Sequence, residues 1–226
     1  MAETKKIRWL PLESNPEVMN KYMYNLGASS DWAFFDVFGF DEDLLGMIPK
    51  PVAAVMLLFP ISDKSETVSI GTEEEVEGLY YMKQTVGNAC GTVGIIHALA
   101  NNGNQVSLDE SKALSAFLKR TASMNKDERA VALGEDESIG SAHESSAQEG
   151  QTEAPDINTK VNLHFVAFVH HNGGLYEMDG RKSAPTRHGN TTPGTLLEDS
   201  MKVAKQFMER DPGELSFTIT ALAANS

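Results

Sequence analysis

Val161-Asn162-Leu163-His164-Phe165-Val166-Ala167-Phe168-Val169-His170 is almost wholly apolar, His171-Asn172-Gly173-Gly174 supplies turn residues, and Leu175-Tyr176-Glu177-Met178-Asp179 runs back. The pattern predicts a β-hairpin. With the turn centred on Asn172-Gly173, the numbers of facing residues sum to about 345, so Asp179 faces Val166. His164 then lies one diagonal step from Asp179 on the same face. Diagonal neighbours are roughly 7–8 Å apart at the backbone, within reach of an imidazole and a carboxylate. A one-residue slip in register would send Asp179 to the opposite face.

Other elements gather around this hairpin. Val52 to Phe59 is a continuous apolar run of strand length, as expected of a strand buried on both faces. Ile7–Leu10, Leu79–Met82 and Leu215–Leu222 read as further strands. Ala89 to Ala100 reads as a helix that is apolar almost all round and therefore central, with Gly91 and Gly94 allowing a neighbour to approach closely. Asn15, Pro16 and Glu17 cap and open a helix that Gly27 closes. Ser107-Leu108-Asp109-Glu110 has capping-box spacing and predicts a helix to about Lys119, and Asn125 with Glu128 opens another that Gly134 ends. Pro193 opens a last helix, stopped by Asp211-Pro212. Between Glu135 and Asn158 lie seven acids, no Lys or Arg and no aromatics, so this stretch reads as a mobile loop of about 20 residues. Strands and helices mix, which predicts a sheet covered by helices in a single domain, 1–226.

Composition sets the broad class. Of 226 residues, 41% are apolar, enough for a sizeable core. The most apolar stretch is too short for a membrane span or a signal peptide, and the expectation is a cytoplasmic protein. The net charge of −13 opposes nucleic-acid binding and favours a partner with a basic face. The one cysteine, Cys90, can form no intramolecular disulfide and no cysteine-based zinc cluster. It is either inert packing or a nucleophile.

The surroundings of Cys90 suggest chemistry. Asn88 reads as an N-cap, placing the thiol in the first turn at the positive end of the helix dipole, which lowers its pKa. Activation usually also needs an imidazole. Of six histidines, His97 is inside the apolar helix, His143 in the mobile loop, His170 and His171 at the hairpin tip and His188 in a Gly-rich loop. His164 begins an otherwise apolar strand. Asp179 would orient it and stabilise the imidazolium, and Gln84 with the Cys90 backbone N–H would donate to an oxyanion. Each residue alone has an ordinary structural reading, and it is the joint order Gln, Cys, His, Asp that points to catalysis.

Gln84-Thr85-Val86-Gly87-Asn88-Ala89-Cys90-Gly91-Thr92, Leu163-His164-Phe165 and Leu175 to Lys182 together resemble the ubiquitin carboxyl-terminal hydrolases. Arg8 to Glu13, Glu149 to Pro155 and Phe207 to Pro212 extend the resemblance over nearly the whole chain. The pattern is most similar to the small single-domain type.

The resemblance implies a papain-like thiol hydrolase with an α/β fold: a central, mostly antiparallel sheet flanked by helices on both sides, with a knotted backbone. It implies catalysis by Cys90, His164, Asp179 and Gln84 without a cofactor, and a cross-over loop at about 141–160 spanning the cleft and restricting leaving groups to small or flexible adducts. For ubiquitin it implies apolar contacts from Pro11, Leu12, Val161 and Leu163, with Glu13, Glu17, Asp36 and Glu214 meeting basic groups. A Nedd-type modifier has a similar basic surface and Gly-Gly end. The expected state is a monomer without nucleic-acid or membrane partners. Two other readings share these residues: a ubiquitin-binding or ubiquitin-stabilising protein with incidental turnover, and a thiol hydrolase of another substrate class.

Overall fold

A computed structural model of the chain describes residues 7–150 and 161–225. In chain order the elements are α1 (Pro16–Leu26), β1 (Trp32–Asp36), α2 (Glu42–Leu45), β2 (Val52–Pro60), α3 (Asp63–Thr67), β3 (Thr72–Glu73) and α4 (Cys90–Ala100). They continue with α5 (Ala113–Thr121), α6 (Lys126–Gly134), α7 (Glu137–Ala147), β4 (Leu163–His171), β5 (Gly174–Met178), β6 (Thr186–Asn190), α8 (Leu196–Arg210) and β7 (Thr218–Ala224). The strands form one sheet in the order β1-β7-β2-β4-β5-β6-β3, with every neighbouring pair antiparallel.

The period-2 alternation of the central strands divides the core in two. Met56, Phe165, Ala167 and Val169 pack with Tyr22, Met23, Ile95, Ile96 and Phe117 on the side of α1, α4 and α5. Val55, Leu57, Val166 and Phe168 pack with Leu197, Met201 and Phe207 of α8 on the other side. Helices therefore cover both faces, as expected. Glycines bring α4 close to its neighbours: a Cβ on Gly91 would lie 3.1 Å from Leu12 Cβ, and one on Gly94 would meet the end of the Met56 side chain.

The hairpin register is the predicted one. Ala167 pairs with Met178, Phe168 with Glu177 and His171 with Gly174, so Asp179 follows directly on the strand with the parity that His164 requires. The Asn15 cap, its Pro16 and the left-handed Gly27 bound α1, and the Asn125–Glu128 capping box opens α6.

Several segments differ from expectation. Leu79–Met82 is not a strand, because side chains satisfy its backbone: Asn101 bonds both N–H and C=O of Tyr80, His97 accepts from Met82 N–H, and Arg129 donates to Tyr81 C=O. Ile7–Leu10 contracts to a single parallel bridge, Arg8 to Gly87. The segment after Ser107 is held extended by backbone bonds to Gly27 and Ser29, while Asp109 turns its carboxylate onto Ser111, so α5 starts only at Ala113. The last helix begins at Leu196 instead of Pro193, and His188 lies in β6 instead of a loop.

The largest correction concerns the acidic stretch. Asp136 accepts from Ile139 N–H and caps α7, whose Ile139 and His143 are fully buried. A capped helix thus occupies the first part of the expected mobile loop. Of the remaining stretch, residues 148–150 form a turn after the helix, and residues 151–160 lie outside the described residues.

Candidate active site

Cys90 is the first residue of α4. Asn88 does not cap it. Its backbone is left-handed (φ 61°), and its side-chain amide donates to Trp9 C=O at 3.0 Å, tying the N-terminal segment to the turn that precedes Cys90. Ala89 takes the cap position with no side-chain cap bond. The first-turn N–H groups, among the four that an α-helix leaves unpaired, therefore stay available to a negative sulfur.

The far side of the site comes from the hairpin. His164 and Asp179 are both buried, and His164 Nε2 lies 2.6 Å from Asp179 Oδ1. The same oxygen accepts the Arg181 backbone N–H at 2.9 Å, and the imidazole packs edge-on against Phe59, its partner across β2 and β4. With Nε2 committed to the carboxylate, Nδ1 is the nitrogen left for the hydrogen bond between His164 and Cys90.

Electrostatics follow from this contact. Burial disfavours a charged imidazole, but the Asp179 carboxylate and the sulfur outweigh it and push the His164 pKa up to about 10. Burial likewise raises the thiol, and it is outweighed by the hydrogen bond and charge of His164 together with backbone groups of Phe165 and Gly91, so Cys90 ends below its ordinary value. Asp179 is held below the usual carboxylate range: burial opposes this, but the His164 charge prevails. All three shifts favour a thiolate–imidazolium pair beside an ionised carboxylate.

Gln84 lies on the segment leading into this turn. Its amide nitrogen donates to Val86 C=O at 3.1 Å, which orients the group and leaves its second N–H uncommitted, while Oε1 is buried without a partner among the described residues. The Gln84 backbone N–H donates to Gly180 C=O at 2.8 Å. A Cβ on Gly180 would lie 3.0 Å from Gln84 Cβ and 3.1 Å from Val93, a tight fit that any side chain there would relieve only by shifting Gln84 or α4 by a few tenths of an ångström.

Five of the eight expected contact residues meet at the thiol. Pro11, Leu12, Glu13, Val161 and Leu163 line a cleft of about 320 Å³ that includes Cys90. Asp36 borders a separate cleft of about 350 Å³ with Phe38, Phe40 and Phe217. Glu17 is exposed at the start of α1, and Glu214 is half-buried between α8 and β7. Among the described residues, no group of three or more His, Cys, Asp and Glu side chains is arranged to hold a metal ion, and no helix is long and apolar enough to cross a membrane.

Sequence reasoning missed Tyr81, which binds the Asp179 turn, and the pairing of His97 with the same region. A usable signal existed, since His97 follows Cys90 by about two helical turns and so shares its face.

A thiol at a helix start, an imidazole and a carboxylate linked in that order form the constellation that thiol hydrolases use. The chain belongs to the ubiquitin carboxyl-terminal hydrolases, family 1, a family of cysteine peptidases whose model matches residues 9–209, and it is accordingly an enzyme of the hydrolase class. It is 54% identical to a ubiquitin carboxyl-terminal hydrolase of Aplysia californica, over 91% of this chain and 97% of that one. It is 47% identical to one of Drosophila melanogaster, over 96% and 98%. Its fold matches the Trichinella spiralis UCH37 catalytic domain, solved bound to ubiquitin vinyl methyl ester, with a TM-score of 0.79, 23% identity and coverage of 97% and 96%.

Proposed function

We propose that this enzyme hydrolyses bonds to the C-terminal glycine of ubiquitin, with Cys90 as nucleophile. The observation that carries the reading is the buried His164–Asp179 bond of 2.6 Å beside a thiol at the start of α4. The Cys90 thiolate attacks the glycine carbonyl carbon, and the oxyanion is met by the Cys90 N–H and the uncommitted N–H of Gln84. His164 gives its Nδ1 proton to the leaving amine or thiol as the tetrahedral intermediate collapses to a thioester. Water then attacks, His164 takes one of its protons, the tetrahedral intermediate expels the thiolate, and the freed carboxylic acid loses its remaining proton to solvent. Asp179 stays ionised throughout and holds the ring.

The apolar cleft walls Pro11, Leu12, Val161 and Leu163, with Glu13 beside them, suit an extended apolar and basic tail. Glu17, Asp36 and Glu214 add acids for a basic globular face, consistent with the net charge of −13. A Nedd-type modifier is a second candidate substrate on the same chemistry. The lone thiol fits a reducing compartment, and we infer a cytoplasmic monomer. We also infer that the chain between Ala147 and Val161, both of which line the thiol's cleft, limits leaving-group size. Lengthening it with Gly-Ser then widens the accepted leaving groups, and unchanged cleavage of ubiquitin chains counts against this.

The central test is incubation with a ubiquitin C-terminal electrophile followed by intact mass. One adduct at Cys90 is expected, with none on Cys90→Ala although that variant still binds ubiquitin. An unmodified wild type refutes the reading.

A further inference from the structure

We propose that Tyr81 and His97 are positioning residues that lock the Asp179 turn and the Gln84 segment onto the helix that begins with Cys90. This rests on the hydrolase reading above. The two rings are stacked, with centroids 5.2 Å apart and planes 9° from parallel, and both are buried.

His97 joins two chain segments through its two nitrogens. Nε2 accepts the Met82 backbone N–H at 3.0 Å, and Nδ1 faces the Met178 carbonyl at 3.3 Å. An N–H only donates and a carbonyl only accepts, so the ring is fixed as the neutral Nδ1–H tautomer. Burial, the largest influence, lowers its pKa to about 4, despite Asp179 nearby, while Arg129 acts in the same direction as burial. His97 thus carries no proton to the reaction and serves as a fixed donor and acceptor. Met178 directly precedes Asp179, and Met82 lies two residues before Gln84.

Tyr81 closes the arrangement. Its O–H is shared between the carbonyls of Asp179 (2.5 Å) and Lys182 (2.8 Å), the two ends of the turn that carries the catalytic carboxylate. Its own carbonyl accepts from Arg129 of α6 at 3.0 Å. The carboxylate turn and the amide segment are joined by the backbone bond from Gln84 N–H to Gly180 C=O; the stacked pair supplies a second tie and anchors it to α4. Neither ring lines the thiol cleft, so the pair acts on alignment and not on substrate contact.

The experiment measures kcat, KM and the pH profile of kcat/KM for Tyr81→Phe, His97→Gln and His97→Leu with a ubiquitin C-terminal fluorophore substrate, below each variant's thermal midpoint. A misplacement of about 1 Å costs roughly 10²-fold. Tyr81→Phe is expected to lower kcat roughly 10- to 100-fold with KM unchanged and to move the alkaline limb to lower pH. Gln keeps one donor and one acceptor, so His97→Gln retains more kcat than His97→Leu. If Tyr81→Phe does not fold, the two His97 variants carry the test. A folded Tyr81→Phe with wild-type kcat and pH profile, or equal kcat in the His97 pair, overturns the inference alone. A wild type that neither turns over the substrate nor labels at Cys90 overturns the hydrolase reading with it.

Discussion

At the scale of residues, the opposed shifts of Cys90 and His164 define a pH window. The thiolate is kept as pH falls below the ordinary thiol value, until the lowered Cys90 pKa is crossed. The imidazolium is kept as pH rises past 6.5, until the raised value near 10 is crossed. A bell-shaped kcat/KM profile follows, belonging to the pair as a unit, with its alkaline limb far above an ordinary histidine. Asp179→Asn removes the charge that raises the imidazole and should pull that limb down toward 6.5, measured with a ubiquitin C-terminal fluorophore substrate. Iodoacetamide alkylation of Cys90 should stay fast well below pH 8, and in His164→Ala, where burial is no longer opposed by the imidazole, its inflection should climb at least to the free-thiol value of about 8.5. Gln84→Ala should lower kcat about 10²- to 10³-fold with little change in KM.

At the scale of elements, stability and catalysis separate. The Asn125–Glu128 box satisfies three backbone donors at the start of α6: Asp127 and Glu128 N–H on Asn125, and Asn125 N–H on Glu128. Asn125→Ala should cost about 1 kcal/mol and lower Tm by roughly 2–4 °C, leaving kcat unchanged; calorimetry and a turnover assay check both. This box and the β4–β5 register were legible because each is local: spacing alone specifies a box, and turn residues plus period-2 alternation specify a hairpin. α7 was hidden because its buried face includes His143, Ser146 and Ala147 beside a single bulky residue, Ile139. Leu79–Met82 was misread because its partners are side chains of α4 and α6, remote in sequence, and no local pattern announces them. Asn88 was misassigned for a similar reason, since Trp9 lies far upstream.

At the scale of the molecule, the excess of acids acts on encounter. With a net charge of −13, association with a basic substrate should slow as salt shortens the Debye length from about 30 Å at 0.01 M to about 8 Å at 0.15 M. Stopped-flow measurement on Cys90→Ala with labelled ubiquitin reads this directly, and a salt-independent on-rate would argue against electrostatic steering. The order β1-β7-β2-β4-β5-β6-β3 could not be derived from local signals, because β7, last in sequence, inserts between β1 and β2 near its other end. The pairing of His164 with Asp179 was legible in the sequence because both lie on one hairpin.

The single thiol has a redox consequence. Oxidation of Cys90 to a sulfenic acid finds no resolving cysteine within these 226 residues, so recovery depends on a thiol supplied from outside, and without one further oxidation is irreversible. The group that makes the site reactive thus leaves its repair to the reducing capacity of the surroundings.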